Sequence, residues 1–150
     1  LIPFAIRGAA WYQGESNEQR AEQYNLLLPT MIRAWRERWG EGDFSFEIVQ
    51  LPNYRAVKPE PEETPWSFIR EAQRRTALRT PKTGLIVTND IGEATDIHPK
   101  NKLDVGKRMA LWAFKHVYGN KLVDAPTLKT AEIKGSKMIL TFDDVGGGRR

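Results

Sequence analysis

The chain has 150 residues and a net charge of +4, and 40% of its residues are hydrophobic, which is typical of one globular domain. It contains no cysteine, so disulfides and thiolate metal sites are excluded. No apolar run reaches the roughly 18 residues of a membrane span, and no basic strip is interleaved with aromatic residues. We therefore expect neither a membrane nor a nucleic-acid partner.

The chain opens at residues 1–6 with a stretch typical of the approach to a buried strand, and no signal peptide is visible. We therefore expect further chain upstream of Leu1. The first predicted strand covers residues 4–11, which are few and mostly apolar.

A strong helix is predicted over residues 18–39, because apolar residues recur there at three- and four-residue steps. Ser16 and Gln19 predict a capping box at its start, and Gly40 predicts its end. Pro29 inside the pattern predicts a kink or a break. Arginines recur at helical spacing here and in the next helix, which predicts solvated faces. They are Arg33, Arg36, Arg38, Arg70, Arg74 and Arg75.

Strands are predicted over residues 44–51 and 85–88, with a helix over residues 66–79 between them. The loop over residues 52–65 is rich in proline and acidic residues, and we expect it on the surface at the rim of a site. A third helix is predicted over residues 99–118, with its proline at the favoured first position. Its expected inner face consists of Leu103, Gly106, Met109, Ala110, Ala113 and Val117.

This alternation of strands and helices predicts an α/β fold with a parallel sheet and helices on both faces. Beyond Gly119, apolar segments over residues 130–133 and 137–142 flank Gly135-Ser136, which predicts a β-hairpin. The glycines of residues 146–148 indicate a turn, because no helix follows them. We therefore expect an α/β domain over residues 1–120. Residues 121–150 would then hold a hairpin that could begin a β-rich accessory module.

Two polar segments follow predicted strands, so both could face one crevice at the carboxyl edge of the sheet. In the first, Gln13 could aim an amide donor at a developing oxyanion. Alternatively, Gln13 satisfies nearby backbone groups and Glu15 favours the helix N-terminus. In the second, His98 has the near-neutral chemistry of a general base, and Asp96 could orient its ring. Asp96 could equally cap the helix that follows.

The same two segments carry a family resemblance. Residues 11–17, W-Y-Q-G-E-S-N, resemble the W-x-Q-G-E-[ST]-N block of sialate O-acetylesterases. Residues 96–102, D-I-H-P-K-N-K, resemble the family's D-I-H-P-[KR]-[ND]-K block. The likeness extends to about Gly119, with a weaker echo over residues 144–148. These enzymes belong with the carbohydrate-esterase group of SGNH hydrolases.

The resemblance implies a flavodoxin-like, three-layer α/β/α fold, incomplete at its N-terminus, that hydrolyses O-acetyl esters of sialic acid or related sugars. His98 would be the general base and Gln13 an oxyanion donor, and Glu15, Asn17 and Trp11 would bind the acetylated carbohydrate. No cofactor or metal is implied. The family also suggests a periplasmic or extracellular location.

The family's nucleophilic serine lies in an earlier block, so we expect it in the missing N-terminal segment of the same polypeptide. Ser16 lacks the second glycine of a nucleophile elbow and is predicted to cap a helix. Many SGNH enzymes place their acid three residues before the histidine, where this chain has Thr95. Asp96 or a backbone carbonyl would then orient His98, with Asp90 a more distant candidate. The alternative is a non-catalytic carbohydrate-binding or structural fragment.

Overall fold

The computed structural model describes residues 1–122 and 124–146. The elements of the first part are strand β1 Gly8–Trp11, a 3₁₀ helix Glu15–Arg20, helix α1 Ala21–Trp39, strand β2 Ser45–Val49, helix α2 Pro65–Arg79 and strand β3 Thr83–Ile86. Helix α3 Lys102–His116 and strands β4 Thr127–Lys134 and β5 Lys137–Asp143 follow. Strands β1, β2 and β3 form a parallel sheet in that order, and β4 and β5 form an antiparallel hairpin. The predicted α/β class, with its parallel sheet and C-terminal hairpin, is confirmed.

The hydrophobic core lies between one face of the parallel sheet and helices α1 and α2. Phe46 and Ile48 alternate along β2 toward this face, and Tyr24, Leu28 and Ile32 recur on one side of α1. Helix α2 completes the core with Trp66, Ile69 and Ala72. Each large apolar side chain buried here contributes about 1.5–3 kcal/mol. Of the described helices, none combines the length and apolar character needed to cross a membrane.

Helix α1 differs from its prediction in two respects, at Pro29 and at its start. It continues through Pro29 as one helix, so no break occurs there, and the alternative expectation of a kink stays a prediction. The core contacts of Leu28 and Ile32 on either side of Pro29 offset the lost hydrogen bond. The predicted Ser16 cap is also wrong. The chain enters through the 3₁₀ helix, and neither helix start has a side-chain cap hydrogen bond. Gly40 ends α1 in the left-handed conformation, as predicted.

Strand β1 begins at Gly8, four residues later than predicted, because side chains around the end of α1 hold the preceding segment. The Trp39 indole donates to the Phe4 carbonyl at 3.1 Å, and the Glu41 carboxylate accepts the Ile6 amide at 3.0 Å. These bonds take the place of strand pairing, so the expected strand over residues 4–7 does not form.

Helix α3 begins at Lys102 rather than at the predicted Pro99. Asn101 caps it, because its Oδ1 accepts the Asp104 amide at 3.1 Å and its Nδ2 donates to the Asp104 carboxylate at 2.7 Å. Val105 is the buried residue of this helix, whereas Leu103 is 70% exposed. Of the predicted inner face, Leu103, Gly106 and Ala110 are exposed, so their assignment is wrong, whereas Met109, Ala113 and Val117 are partly buried.

Arg36 is buried in the first unit, contrary to the predicted solvated face. Only 6% of it is exposed, and its guanidinium donates to the main-chain carbonyls of Phe44 and Pro81 at 2.8 Å. Burial lowers the Arg36 pKa, and nearby Asp43 opposes that shift. The cation joins the end of α1 to the segments that lead into β2 and β3.

On the opposite face of the sheet, Glu47 stands between small residues. It lies in register with Ala10 of β1 and Gly84 of β3. Among the described residues, its Oε2 atom has no hydrogen-bond partner. Burial raises the Glu47 pKa to about 7. Ionising this carboxylate therefore opposes folding of the chain.

Residues 111–146 form a second compact unit, which contains the end of α3 and the hairpin. Along the hairpin, three facing pairs are all apolar: Leu128 with Phe142, Ala131 with Leu140, and Ile133 with Met138. A register irregularity between Leu128 and Thr130 keeps this face continuous. In the same unit, His116 stacks on Trp112 at 4.6 Å and pairs with Asp124 at 2.8 Å.

The predicted domain boundary between residues 120 and 121 stays a prediction. Of the three glycines predicted to form a turn, Gly147 and Gly148 lie outside the described residues.

Replacing Arg36 by Met should lower the free energy of unfolding by about 2–4 kcal/mol, because the buried Phe44 carbonyl and the Pro81 carbonyl lose their donor. Urea unfolding followed by tryptophan fluorescence measures this. Arg38→Met, at an exposed position of the same helix, is the matched control and should change stability by less than about 0.5 kcal/mol. Equal losses in the two variants would contradict the role of Arg36.

Replacing Glu47 by Gln should remove a pH dependence of stability. In the unfolded chain Glu47 releases its proton near its ordinary pKa of 4.5, but in the folded chain only near 7. Stability is therefore retained below pH 4.5 and falls as the pH rises through 7. Urea unfolding at pH 5 and pH 8 should show this fall in the parent chain and a smaller fall in Glu47→Gln. Parallel pH profiles would count against the shifted carboxylate.

Candidate active site

Gln13 lies in the turn after β1, and the residue that follows it has a backbone conformation that favours glycine. Gly14 has a φ of +146° and is buried. A side chain there would also meet Gln73 Nε2 and Leu51 Cδ1 at 3.4 Å. The Gly14 carbonyl then accepts the Asn17 amide at 2.8 Å, which starts the 3₁₀ helix. This local geometry carries the chain sharply away from the carboxyl end of β1.

The Gln73 side chain, on α2, ties this turn to the end of β2. It is 0% exposed. Its Oε1 accepts the Leu51 amide at 2.9 Å, and its Nε2 donates to the Gln13 carbonyl at 3.0 Å. One buried carboxamide therefore satisfies main-chain groups of two segments that leave neighbouring strands.

Gln13 itself is held at both ends of its carboxamide. Its Oε1 lies 3.0 Å from the Tyr24 hydroxyl, and its Nε2 donates to Asn17 Oδ1 at 2.8 Å. The Trp11 indole donates to the Tyr24 oxygen at 3.3 Å, and its ring meets Trp35 edge-on at 5.7 Å. Three of the predicted site residues, Gln13, Asn17 and Trp11, are thus brought together in one network.

Glu15 lies beside this network and acts on it through its charge. Burial raises the pKa of Tyr12, and the Glu15 carboxylate raises it further. Burial likewise raises the Tyr24 pKa, with Glu15 adding to the shift, whereas the hydrogen bond from Trp11 works the other way. Both phenols therefore stay protonated, and the Tyr24 hydroxyl remains a hydrogen-bond donor.

His98 lies in the segment between β3 and α3, and its side chain is 83% exposed. The Asp96 Oδ1 atom accepts the His98 main-chain amide at 2.8 Å, but it is 3.9 Å from the imidazole Nδ1. The second distance is too long for a hydrogen bond. In this arrangement Asp96 shapes the turn, and its carboxylate stands near the ring without bonding it.

The loop after β2 anchors the segment that leads to His98. Gly92 approaches Asn53 so closely that a side chain at Gly92 would lie 1.9 Å from the Asn53 carbonyl oxygen. The Gly92 amide donates to Asn53 Oδ1 at 2.7 Å, and Tyr54 pairs with Glu93 in a parallel bridge. On its other side, Arg55 of this loop bonds the Glu18 carboxylate at 2.7 Å. The loop therefore links the 3₁₀ helix with the His98 segment.

The two motif segments also touch directly. The Lys102 ammonium lies 4.8 Å from the centroid of the Tyr12 ring, which is a cation–π contact. Tyr12 and Ile97 both pack against the same hydrophobic core. Tyr12, which precedes Gln13, and Lys102, four residues after His98, are therefore neighbours at the carboxyl edge of the sheet.

Asp90, the more distant acid candidate, is engaged by Arg108. The two Asp90 carboxylate oxygens accept from this guanidinium at 2.7 and 2.6 Å. The hydrogen bonds from Arg108 lower the Asp90 pKa to about 2. Asp90 is thus a stable anion that already has a partner. Within residues 1–122 and 124–146, no three His, Asp or Glu side chains are grouped as metal ligands.

Sequence reasoning missed the polar side chains that support this edge. Gln73 and Tyr24 lie at helical positions where an apolar core residue is expected, and only the polar character of Gln73 could have signalled its role. Thr88 belongs to the same set, since its buried hydroxyl donates to the Gln50 carbonyl at 2.5 Å. Arg70, predicted to be solvated, donates to Asn89 after β3.

These elements define an α/β protein with a polar site at the carboxyl edge of a parallel sheet, built on one turn and one histidine segment. The family model described as "Carbohydrate esterase, sialic acid-specific acetylesterase" matches residues 3–115. The chain belongs to this sialic acid-specific acetylesterase family of carbohydrate esterases.

Individual relatives agree with this membership. The human sialate O-acetylesterase is 28% identical over 159 residues, and the mouse sialate O-acetylesterase is 28% identical over 162. Each match covers 95% of this chain and 30% of the relative. The crystal structure of a carbohydrate acetylesterase from Xanthomonas citri is 44% identical, with a TM-score of 0.85, and covers 97% of this chain and 34% of that one. The chain thus spans about a third of the length of these relatives.

Replacing Gln73 by Leu should lower the free energy of unfolding by about 2–3 kcal/mol. The new side chain has a similar volume but leaves the Leu51 amide and the Gln13 carbonyl without their partner. Thermal and urea unfolding measure the loss. Gln23→Leu, at an exposed position of α1, should be close to neutral. A Gln73→Leu chain as stable as the parent would show that the hydrogen bonds of Gln73 do not contribute to the free energy of unfolding.

Proposed function

We propose that this chain supplies the general base and an oxyanion donor of a carbohydrate O-acetylesterase, acting as part of a longer polypeptide. Its membership in the sialic acid-specific acetylesterase family supports the substrate class, O-acetyl esters of sialic acid or related sugars. The single observation that carries the proposal is the contact between the two motif segments, in which Lys102 lies on the Tyr12 ring.

The proposed reaction is acyl transfer through a serine contributed by the remainder of the polypeptide. His98 accepts the serine proton as the serine oxygen attacks the acetyl carbonyl. The tetrahedral intermediate then collapses, and the sugar hydroxyl leaves with the proton that His98 returns. Water, deprotonated by His98, cleaves the acetyl-enzyme to acetate and free serine.

Gln13 is suited to the oxyanion role because its carboxamide is already oriented. One Nε2 hydrogen is donated to Asn17. Each carboxamide nitrogen carries two hydrogens, so one remains for a ligand. A fixed donor stabilises the developing charge without reorganising at the moment of reaction. Glu15 accepts hydrogen bonds only, and we propose that it contacts sugar hydroxyls.

Asp96 has two candidate roles, which are to fix the turn at His98 and to stabilise the imidazolium. Its carboxylate bonds the His98 amide, which sets the turn, and it lies 3.9 Å from Nδ1. A ring rotation that closes this gap would let Asp96 stabilise the imidazolium. Substrate contacts by Trp11 and Asn17, and an exported location, remain predictions.

In the longer polypeptide, His98→Ala should reduce kcat/KM for 4-nitrophenyl acetate and for O-acetylated sialic acid by about 10²–10⁴-fold, because the general base is lost. Gln13→Ala should reduce kcat by about 10²-fold. Rates from initial velocities, with circular dichroism to verify folding, measure both effects.

His116→Ala is the matched control, since His116 is engaged by Trp112 and Asp124 in the second unit. It should leave kcat/KM unchanged. A folded His98→Ala protein with parental kcat/KM would refute the mechanism. Binding of acetylated sugars without hydrolysis by the parent polypeptide would favour the non-catalytic alternative.

A further inference from the structure

The orientation of the Gln13 carboxamide follows from a chain of hydrogen bonds that begins at Trp11. The indole N–H is a donor only, so the Tyr24 oxygen accepts from it at 3.3 Å. The single Tyr24 hydrogen must then be donated elsewhere. Its two neighbours are the Gln13 carbonyl at 3.1 Å and Gln13 Oε1 at 3.0 Å.

The Gln13 carbonyl already accepts from Gln73 Nε2 at 3.0 Å. This leaves Gln13 Oε1 as the acceptor that most needs the Tyr24 hydrogen. The oxygen of the carboxamide therefore faces Tyr24, and its NH₂ group faces Asn17. A carboxamide flipped by 180° would set its Oε1 against Asn17 Oδ1, so that two acceptors face each other, and its Nε2 against the Tyr24 hydroxyl.

We propose that Tyr24 and Asn17 are positioning residues that grip opposite ends of the Gln13 carboxamide and so direct its second Nε2 hydrogen toward the reacting carbonyl oxygen. This rests on the oxyanion role proposed for Gln13. Neither residue touches the substrate in this scheme; both act through Gln13. Asn17 thereby takes a role different from the substrate contact implied by the family resemblance.

The surroundings of Tyr24 favour this role over simple core packing. The residue is only 3% exposed, so its hydroxyl has no bulk water to bond. Packing alone would be served by phenylalanine. The hydroxyl instead lies at the one point where the indole of β1 and the turn after β1 meet. Its raised pKa keeps the hydrogen in place across the working pH range.

The position of Asn17 is fixed independently of Tyr24. Its own amide donates to the Gly14 carbonyl at 2.8 Å in the first turn of the 3₁₀ helix. The side-chain oxygen of Asn17 is thus held by the same turn that carries Gln13. The hydrogen bonds from Tyr24 and to Asn17 involve different elements, α1 and the 3₁₀ helix. Each bond can therefore be removed without removing the other.

The test uses the longer polypeptide and steady-state kinetics with 4-nitrophenyl acetate. Tyr24→Phe preserves the ring and should lower kcat about tenfold while KM changes less than about twofold, because only the transition state needs the aimed donor. Asn17→Ala should give a similar loss. Tyr118→Phe, which removes an exposed hydroxyl, is the matched control and should keep parental kcat.

Double variants separate positioning from a structural effect. In a Gln13→Ala background, Tyr24→Phe and Asn17→Ala should each cause no further loss of kcat, because the group that they orient is gone. Losses that multiply in the double variants would overturn the inference. So would parental kcat in both single variants while Gln13→Ala is impaired, and the proposed function would then still stand.

If Gln13→Ala itself retains parental kcat, the oxyanion role of Gln13 fails, and the positioning inference fails with it. Thermal unfolding of each variant verifies folding. Should Tyr24→Phe not fold, Asn17→Ala and its double variant carry the same test of the carboxamide grip.

Discussion

The buried carboxamide of Gln73 is the contact on which the rest of the candidate site depends. It satisfies the Leu51 amide after β2 and the Gln13 carbonyl after β1, in a place that water does not reach. Two chain segments leave the sheet in a fixed relation because breaking this bridge would strand buried polar groups. The turn at Gly14, the 3₁₀ helix and the Gln13 side chain lie on one of the segments that this bridge fixes.

The two ends of the parallel sheet use polar side chains for different purposes. At the amino end, the Arg36 guanidinium donates to the main-chain carbonyls of Phe44 and Pro81, and these bonds contribute stability. At the carboxyl end, buried glutamine and tyrosine groups satisfy the backbone and leave one Gln13 hydrogen available for a ligand. Parallel sheets concentrate binding groups at this edge because successive loops diverge there.

The two halves of the proposed machinery differ in how firmly they are held. Gln13 is gripped by bonds from three elements, whereas the His98 ring is 83% exposed and is 3.9 Å from the Asp96 carboxylate. Catalytic hydrogen bonds often tighten only when a substrate is bound. The family relation, with relatives about three times as long, is consistent with a site that further chain completes. A rigid donor and an adjustable base are compatible with acyl transfer, in which only the base must change its bonding.

Local patterns in the sequence determined the α/β class, helix α1, the strands and the hairpin, because helical and strand periodicities and turn residues act over a few neighbours. They also marked both motif segments. Tertiary structure alone decided that Arg36 is buried and that Tyr24 and Gln73 serve the site. The same helical spacing suits a solvated or a buried face. Which polar side chain is buried depends on the carbonyls and amides that other elements bring to it.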